Sequence, residues 1–215
     1  MVKTVLSKPR ETAVRTINLG FDYETIDECL THIRDTSLRG ACERILQDNR
    51  KLFEKAQGST HNHQTWAGGY IDHITDGLNY GRHLYEFEKA FGRPMRFELD
   101  DFTLIFFLHD LEKPWRIQVK NGEASNAEGL QTKEAFRRFR EQKLREYGIV
   151  LTDYQMNALT YVEGEYTDYS SKRRVMNELA SFCHRVDVWS ARERYDYPKP
   201  KGQDEWVGAG RFRTA

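Results

Sequence analysis

The stretch "DFTLIFFLHDLEKPWR", residues 101–116, joins the most apolar run of the chain to a charged ending. Residues 102–108 are Phe, Thr, Leu and Ile only, the pattern of a helix covered by core on every side. Asp100 and Asp101 just before it can supply an N-cap, so a helix is expected over 102–112. His109 and Asp110 then fall on that same apolar element. Taking an imidazole and a carboxylate out of water together is costly unless something satisfies both. A metal ion does so, because neutral imidazole and carboxylate are ligands for Mn, Fe, Zn, Ni or Co. His-Asp dipeptides are common, and this one decides nothing alone.

Outward from this stretch the apolar spacing is helical and the chain reads as all-α. Upstream, Ile26, Leu30, Ile33, Leu38, Ala41, Ile45, Leu46, Leu52 and Phe53 predict two helices between Tyr23 and Ala56, broken near Ser37–Gly40. A third is predicted over Asp72–Phe91, stopped by Gly92-Arg93-Pro94. Downstream, residues 116–130 carry turn residues and a short hairpin, followed by an amphipathic helix over 133–148 closed by Gly148. Two more helices are predicted, at about 152–163 and 171–194, before a Pro- and Gly-containing tail from Tyr197.

Acids and bases balance at 33 each, which weighs against a protein whose main work is coating nucleic acid, while leaving room for a local basic patch. Such patches occur at 133–145 and at Lys172-Arg173-Arg174; each reads either as a solvated face or as a surface for anions. At 215 residues the chain can bury a core without a metal or disulfides, so stability alone does not call for a metal. Three cysteines with no CxxC spacing point to free thiols and a reducing compartment, with the cytoplasm as the expectation. No apolar run is long enough to span a bilayer, so no membrane role is expected.

Two other polar intrusions complete the pattern. In "HNHQTWAGGYIDHI" (61–74), His73 sits near the start of a helix, behind Gly68 and Gly69, which let the chain turn closely into it. In "FCHRVDVWSAR" (182–192), Asp187 interrupts an apolar face between Val186 and Val188. His, His-Asp and Asp in this order on separate helices resemble the HD superfamily of metal-dependent phosphohydrolases. The resemblance runs from about residue 60 to 195, and "GGYIDH" is similar to the G-G-x-x-[DE]-H first-ligand motif of one branch. It implies a helical HD-domain bundle with a hairpin insertion near 116–130. It further implies an N-terminal helical extension over 1–58, the HD domain over 59–196 and a tail over 197–215.

The resemblance also implies the chemistry. His73, His109, Asp110 and Asp187 would hold one divalent transition metal (Mn, Fe, Ni, Co or Zn, with Mg admissible). Asp110 and Lys113 would be catalytic, Lys113 by holding a phosphate oxygen. Arg116, His63 and Arg173 would contact substrate. For His63 a turn-capping imidazole is the alternative, and for Arg116 and Arg173 a solvated surface is. Glu112, where many relatives carry a small residue, implies a narrower or more acidic pocket. Asp72, Glu112, Glu163, Glu165 and His184 are candidate auxiliaries. The expected substrate is a nucleotide or other small phosphorylated metabolite. The alternatives are an HD-type 3′–5′ exonuclease acting on RNA or single-stranded DNA, and a di-iron HD-type oxygenase. The relatives that use two irons add histidines between the HD pair and the final Asp, and residues 111–183 contain none.

Overall fold

The computed structural model describes residues 22–195, so the expected tail and the first part of the N-terminal extension lie outside the described residues. The described chain is helical apart from one hairpin. Its first helices are α1 (Ile26–Leu30), α2 (Thr36–Phe53), α3 (Gly69–Ala90), α4 (Leu99–Leu108) and α5 (Lys113–Arg116). Strands β1 (Ile117–Lys120) and β2 (Glu123–Asn126) come next, then α6 (Lys133–Glu146), α7 (Asp153–Tyr161) and α8 (Glu178–Val188). The all-helical reading with a small insertion hairpin therefore holds. β1 and β2 pair antiparallel across Asn121 and Gly122, whose φ values of 53° and 83° give the doubly positive turn that suits a two-residue hairpin.

Several boundaries differ from expectation, each for a local reason. The break between α1 and α2 falls before Asp35 rather than at Ser37–Gly40, because the Asp35 carboxylate accepts from the amides of Ser37 and Leu38 and starts the helix there. Helix α4 begins after Glu98, which shares a reciprocal cap with Asp101. It ends at Leu108 rather than at 112. The last predicted helix starts only at Glu178, where Asn177 caps it, because Ser170 and Arg173 bridge across a tight turn. After Val188 the coil widens into a π-helical turn, Trp189–Glu193.

Helix α4 is the hub. Phe102 and Leu104 through Leu108 are at most 1% exposed, and α4 packs against α1, α2, α3, α7 and α8. Its approach to α3 is unusually close. A Cβ on Gly77 would lie 2.2 Å from the Phe106 ring, and one on Gly81 would lie 2.0 Å from that of Phe102. Those two rings therefore occupy the space that side chains on α3 would fill, and the contact fixes how the His73 end of α3 faces the end of α4. No helix among the described residues is long and apolar enough to cross a membrane.

Candidate metal centre

The end of α4 brings two adjacent donors to one point. Beyond Leu108 the amides of Leu111, Lys113 and Trp115 reach back to carbonyls three residues earlier, which tightens the coil and leaves the last-turn carbonyls of α4 in need of partners. His109 meets one of these needs itself, its Nδ1 donating to the Phe106 carbonyl at 2.6 Å. That bond fixes the tautomer of a neutral His109, leaving the lone pair of Nε2 aimed away from the helix. The His109 carbonyl is taken by Arg140 Nη1 of α6 at 2.7 Å.

His73 arrives from α3. Gly68, with φ of 88°, turns the chain into that helix, and a Cβ on Gly69 would lie 1.9 Å from the Gln64 carbonyl, so only glycine allows the approach. The His73 Nε2 stands 3.4 Å from the His109 Nε2, 3.4 Å from Asp110 Oδ2 and 3.3 Å from Asp187 Oδ1. His109 Nε2 stands 3.2 Å from Asp110 Oδ2 and 3.6 Å from Asp187 Oδ1. One donor atom from each of the four residues lies within 4.8 Å of all the others. His73, His109 and Asp110 are buried, and only Asp187, at 17% side-chain exposure, opens toward solvent. The four can hold a metal ion, as expected. The two imidazole Nε2 atoms face each other at 3.4 Å, and neither Asp110 oxygen makes a well-aligned hydrogen bond, although Lys113 stands against Oδ2. Both features are costly in a protein interior and both are relieved by a shared cation.

The electrostatics agree. Burial pulls the His109 imidazole down, but the carboxylates of Asp110 and Asp187 outweigh it and push it up to about 10. Burial likewise raises Asp110 and Asp187, yet their histidine neighbours, and Lys113 beside Asp110, hold both well below the usual carboxylate range. The bare side chains thus draw in positive charge.

Lys113 and His63 stand next to the centre. Lys113 Nζ contacts Asp110 Oδ2 and lies 3.5 Å from His63 Nε2. His63 Nδ1 pairs with Gln64 Oε1 at 2.6 Å, which makes Nδ1 the donor and leaves Nε2 to accept from Lys113. Burial, and after it Lys113, keep His63 well below its ordinary value and hence neutral. Its ring lies 4.8 Å from that of His73, so His63 is buried at the centre and is not a surface cap.

The structure does not bring the other expected residues to this point. Glu112 is fully buried between Arg116 and Arg140, 3.1 Å from each, and Arg116 also lies over the Phe136 ring, so this trio ties α6 to the end of α4 instead of facing a pocket. Glu165 accepts from the amides of Val175 and Met176, and His184 Nδ1 donates to the Val162 carbonyl at 2.8 Å. Both hold the 162–176 connection in place. Asp72 accepts from the Trp66 indole at 2.6 Å. Arg173 lies in a separate cleft near the start of α8. Glu163 lies beside Tyr166, whose hydroxyl is pushed up to about 12 by burial first and then by Glu163, Asp187 and Asp110.

Three contributors carry no signal in the sequence. Ser190, on the π-helical turn, places Oγ 3.0 Å from His73 Nδ1. Gln64, fully buried at φ of 39°, reaches the carbonyls of Ser190 and Arg194. Arg140 braces His109. A tautomer-setting partner for His73 could be anticipated in principle, but nothing marks serine among polar residues for that role. Comparison with known protein families, with curated proteins and with solved structures finds no match.

Proposed function

We propose that this chain is a metal-dependent phosphohydrolase of the HD superfamily that cleaves an ester or anhydride of a nucleotide or another small phosphorylated metabolite. The observation that carries the reading is the ammonium of Lys113 set directly beside a four-donor cluster, between Asp110 and His63. A structural metal site needs no such cation, whereas a phosphoryl group leaving or entering the centre does. The ion held by His73, His109, Asp110 and Asp187 would supply Lewis acidity, polarising a phosphoryl oxygen and lowering the pKa of water.

The chain's own groups do the rest. Lys113 is held between the Asp110 carboxylate and His63 Nε2, and an ammonium with three N–H groups keeps one to give to a phosphate oxygen. Neutral His63, held by Gln64, keeps the ammonium in place without adding charge. Asp187, the most exposed of the four, marks the side from which substrate reaches the cluster. His184 is committed to a backbone carbonyl and residues 111–183 hold no histidine, which supports one ion rather than a di-iron pair.

The test begins with metal analysis of protein purified without chelator. A screen of nucleotides, sugar phosphates and an aryl phosphodiester follows, with Mn, Fe, Co, Ni, Zn and Mg. Phosphate release that needs metal and disappears in Asp110→Asn supports the reading. Oxygen consumption without phosphate release, or shortening of oligonucleotides without turnover of small esters, would replace it with the oxygenase or the exonuclease.

A further inference from the structure

A cleft of about 1020 Å³ lies between the end of α3, the connection into α4, α7 and the start of α8, closed on one side by the 169–174 turn. It is distinct from the metal centre. Glu88, on its α3 wall, follows His73 by about 22 Å along the helix axis at 1.5 Å per residue. On α8 the cleft takes Phe182 and Arg185, which point to the side away from Asp187.

Its charge is unbalanced in a specific way. Glu88 is shared by Arg93 and Arg185 at 3.2 and 3.1 Å, Glu178 lies 3.5 Å from Arg96, and Glu165 is spent on backbone amides. Every acid of the cleft is therefore engaged. Lys172, Arg173 and Arg174 line the same cleft, are exposed, and have no side-chain ion pair among the described residues. The 170–173 bridge holds these adjacent cations at the cleft. Beside them Tyr169 presents a ring that is 69% exposed.

We propose that this cleft binds single-stranded nucleic acid, with successive phosphates on Lys172, Arg173 and Arg174 and a base stacked on Tyr169. A single phosphate calls for donors that converge on one point. Here the unpaired cations are three consecutive residues of one exposed turn, and the ion-paired arginines of the α3–α4 connection and α8 continue the cleft beyond them, an extended arrangement that suits a chain of phosphates. An exposed aromatic beside a cationic track offers a face to an unpaired base, which a duplex keeps stacked inside. The zero net charge of the whole chain confines the attraction to this face, so binding is local and sensitive to salt. The proposal does not depend on the phosphohydrolase reading.

Fluorescence anisotropy with labelled oligo(dT) and oligo(rU), in chelator so that nothing is cleaved, tests it. Saturable binding is expected at 50 mM salt, weakening with a log–log slope of roughly two if three phosphates are neutralised. The triple charge reversal Lys172→Glu, Arg173→Glu, Arg174→Glu should lose at least about a hundred-fold in affinity, and the triple alanine variant should lose an intermediate amount. Both should keep the circular dichroism spectrum and the divalent-metal affinity of the parent. Tyr169→Ala should weaken oligo(dT) binding about ten-fold and leave an abasic oligomer unaffected. Absence of saturable binding, or full affinity in the charge-reversed protein, overturns the proposal. Equal affinity for inorganic polyphosphate, unaffected by Tyr169→Ala, overturns the assignment to single strands.

Discussion

Ser190 Oγ stands 3.0 Å from His73 Nδ1, although the two residues are 117 positions apart. The contact exists because the coil widens after Val188 into a π-helical turn, carrying Ser190 inward beneath the histidine that Asp187 also faces. It orients the His73 ring. Ser190→Ala should therefore weaken divalent-metal affinity about 10–100-fold, as loss of such supporting hydrogen bonds does, while Ser190→Thr recovers most of it. Isothermal titration with Mn or Co, with the fold checked by circular dichroism, measures this; unchanged affinity in the alanine variant would show that the contact is incidental.

Lys113→Ala should separate metal binding from turnover. The ammonium contacts a ligand but supplies no donor atom to the cluster, so bound metal per chain should stay that of the parent. Phosphate release from the best substrate should fall about ten- to a hundred-fold, the worth of one charged hydrogen bond of about 1.5–3 kcal/mol. Loss of the metal itself would show that Lys113 acts by holding Asp110.

The α3–α4 seam should tolerate no added methyl group. In Gly77→Ala the new Cβ would meet the Phe106 ring at 2.2 Å, and the ring has little room to retreat because Phe106 is fully buried. A loss of about 1–3 kcal/mol in stability is expected, measured by urea unfolding. Metal affinity should fall as well, since the seam sets the distance between His73 and His109. Gly40→Ala is the control: its Cβ would meet nothing nearer than 3.5 Å, and it should be neutral or slightly stabilising.

Asp76, buried one turn beyond His73, gives a pH prediction. Burial pushes its carboxyl up from 3.8 to about 6, against the pull of Arg194 and His73. The folded state then holds the proton more tightly than the unfolded chain, so this group favours folding most below pH 3.8. Its contribution declines as pH rises from about 3.8 to 6 and is level above that. The full difference is on the order of 2–3 kcal/mol. The chelated parent should lose stability relative to Asp76→Asn across that window; parallel curves for the two proteins would place the titration elsewhere.

Much of the centre was legible because its four donors are intrusions. His73, His109, Asp110 and Asp187 each break an apolar helical pattern, and only convergence makes such breaks tolerable. The supporting residues were not legible for the opposite reason. Ser190 and Arg140 are compatible with any solvated helix, and the left-handed backbone at Gln64 leaves no mark in the amino-acid order. The misplaced roles share one cause. The resemblance implies a pocket role for Glu112 and Arg116, but two and six residues beyond Asp110 the tightened coil turns them toward α6, while Lys113 between them stays at the centre. Helix starts failed where a cap decided them: Asp35, Glu98 and Asn177 override an apolar periodicity that runs past them on either side.

The tightened coil after Leu108 also divides this region by its tolerance of changes in length. The ring of His109 is tied to the carbonyl three residues back, Asp110 meets it side by side, and Arg140 grips the carbonyl between them. A single inserted or deleted residue between Phe106 and Asp110 would shift the register of these ties, and one between Asp110 and Lys113 would carry the ammonium away from the carboxylate it contacts. Beyond Lys113, the exposed tip of the hairpin at Asn121 and Gly122 has nothing packed on its glycine and can lengthen freely. Over evolutionary time, variation in chain length should therefore collect at the hairpin and be purged from the seven residues before α5.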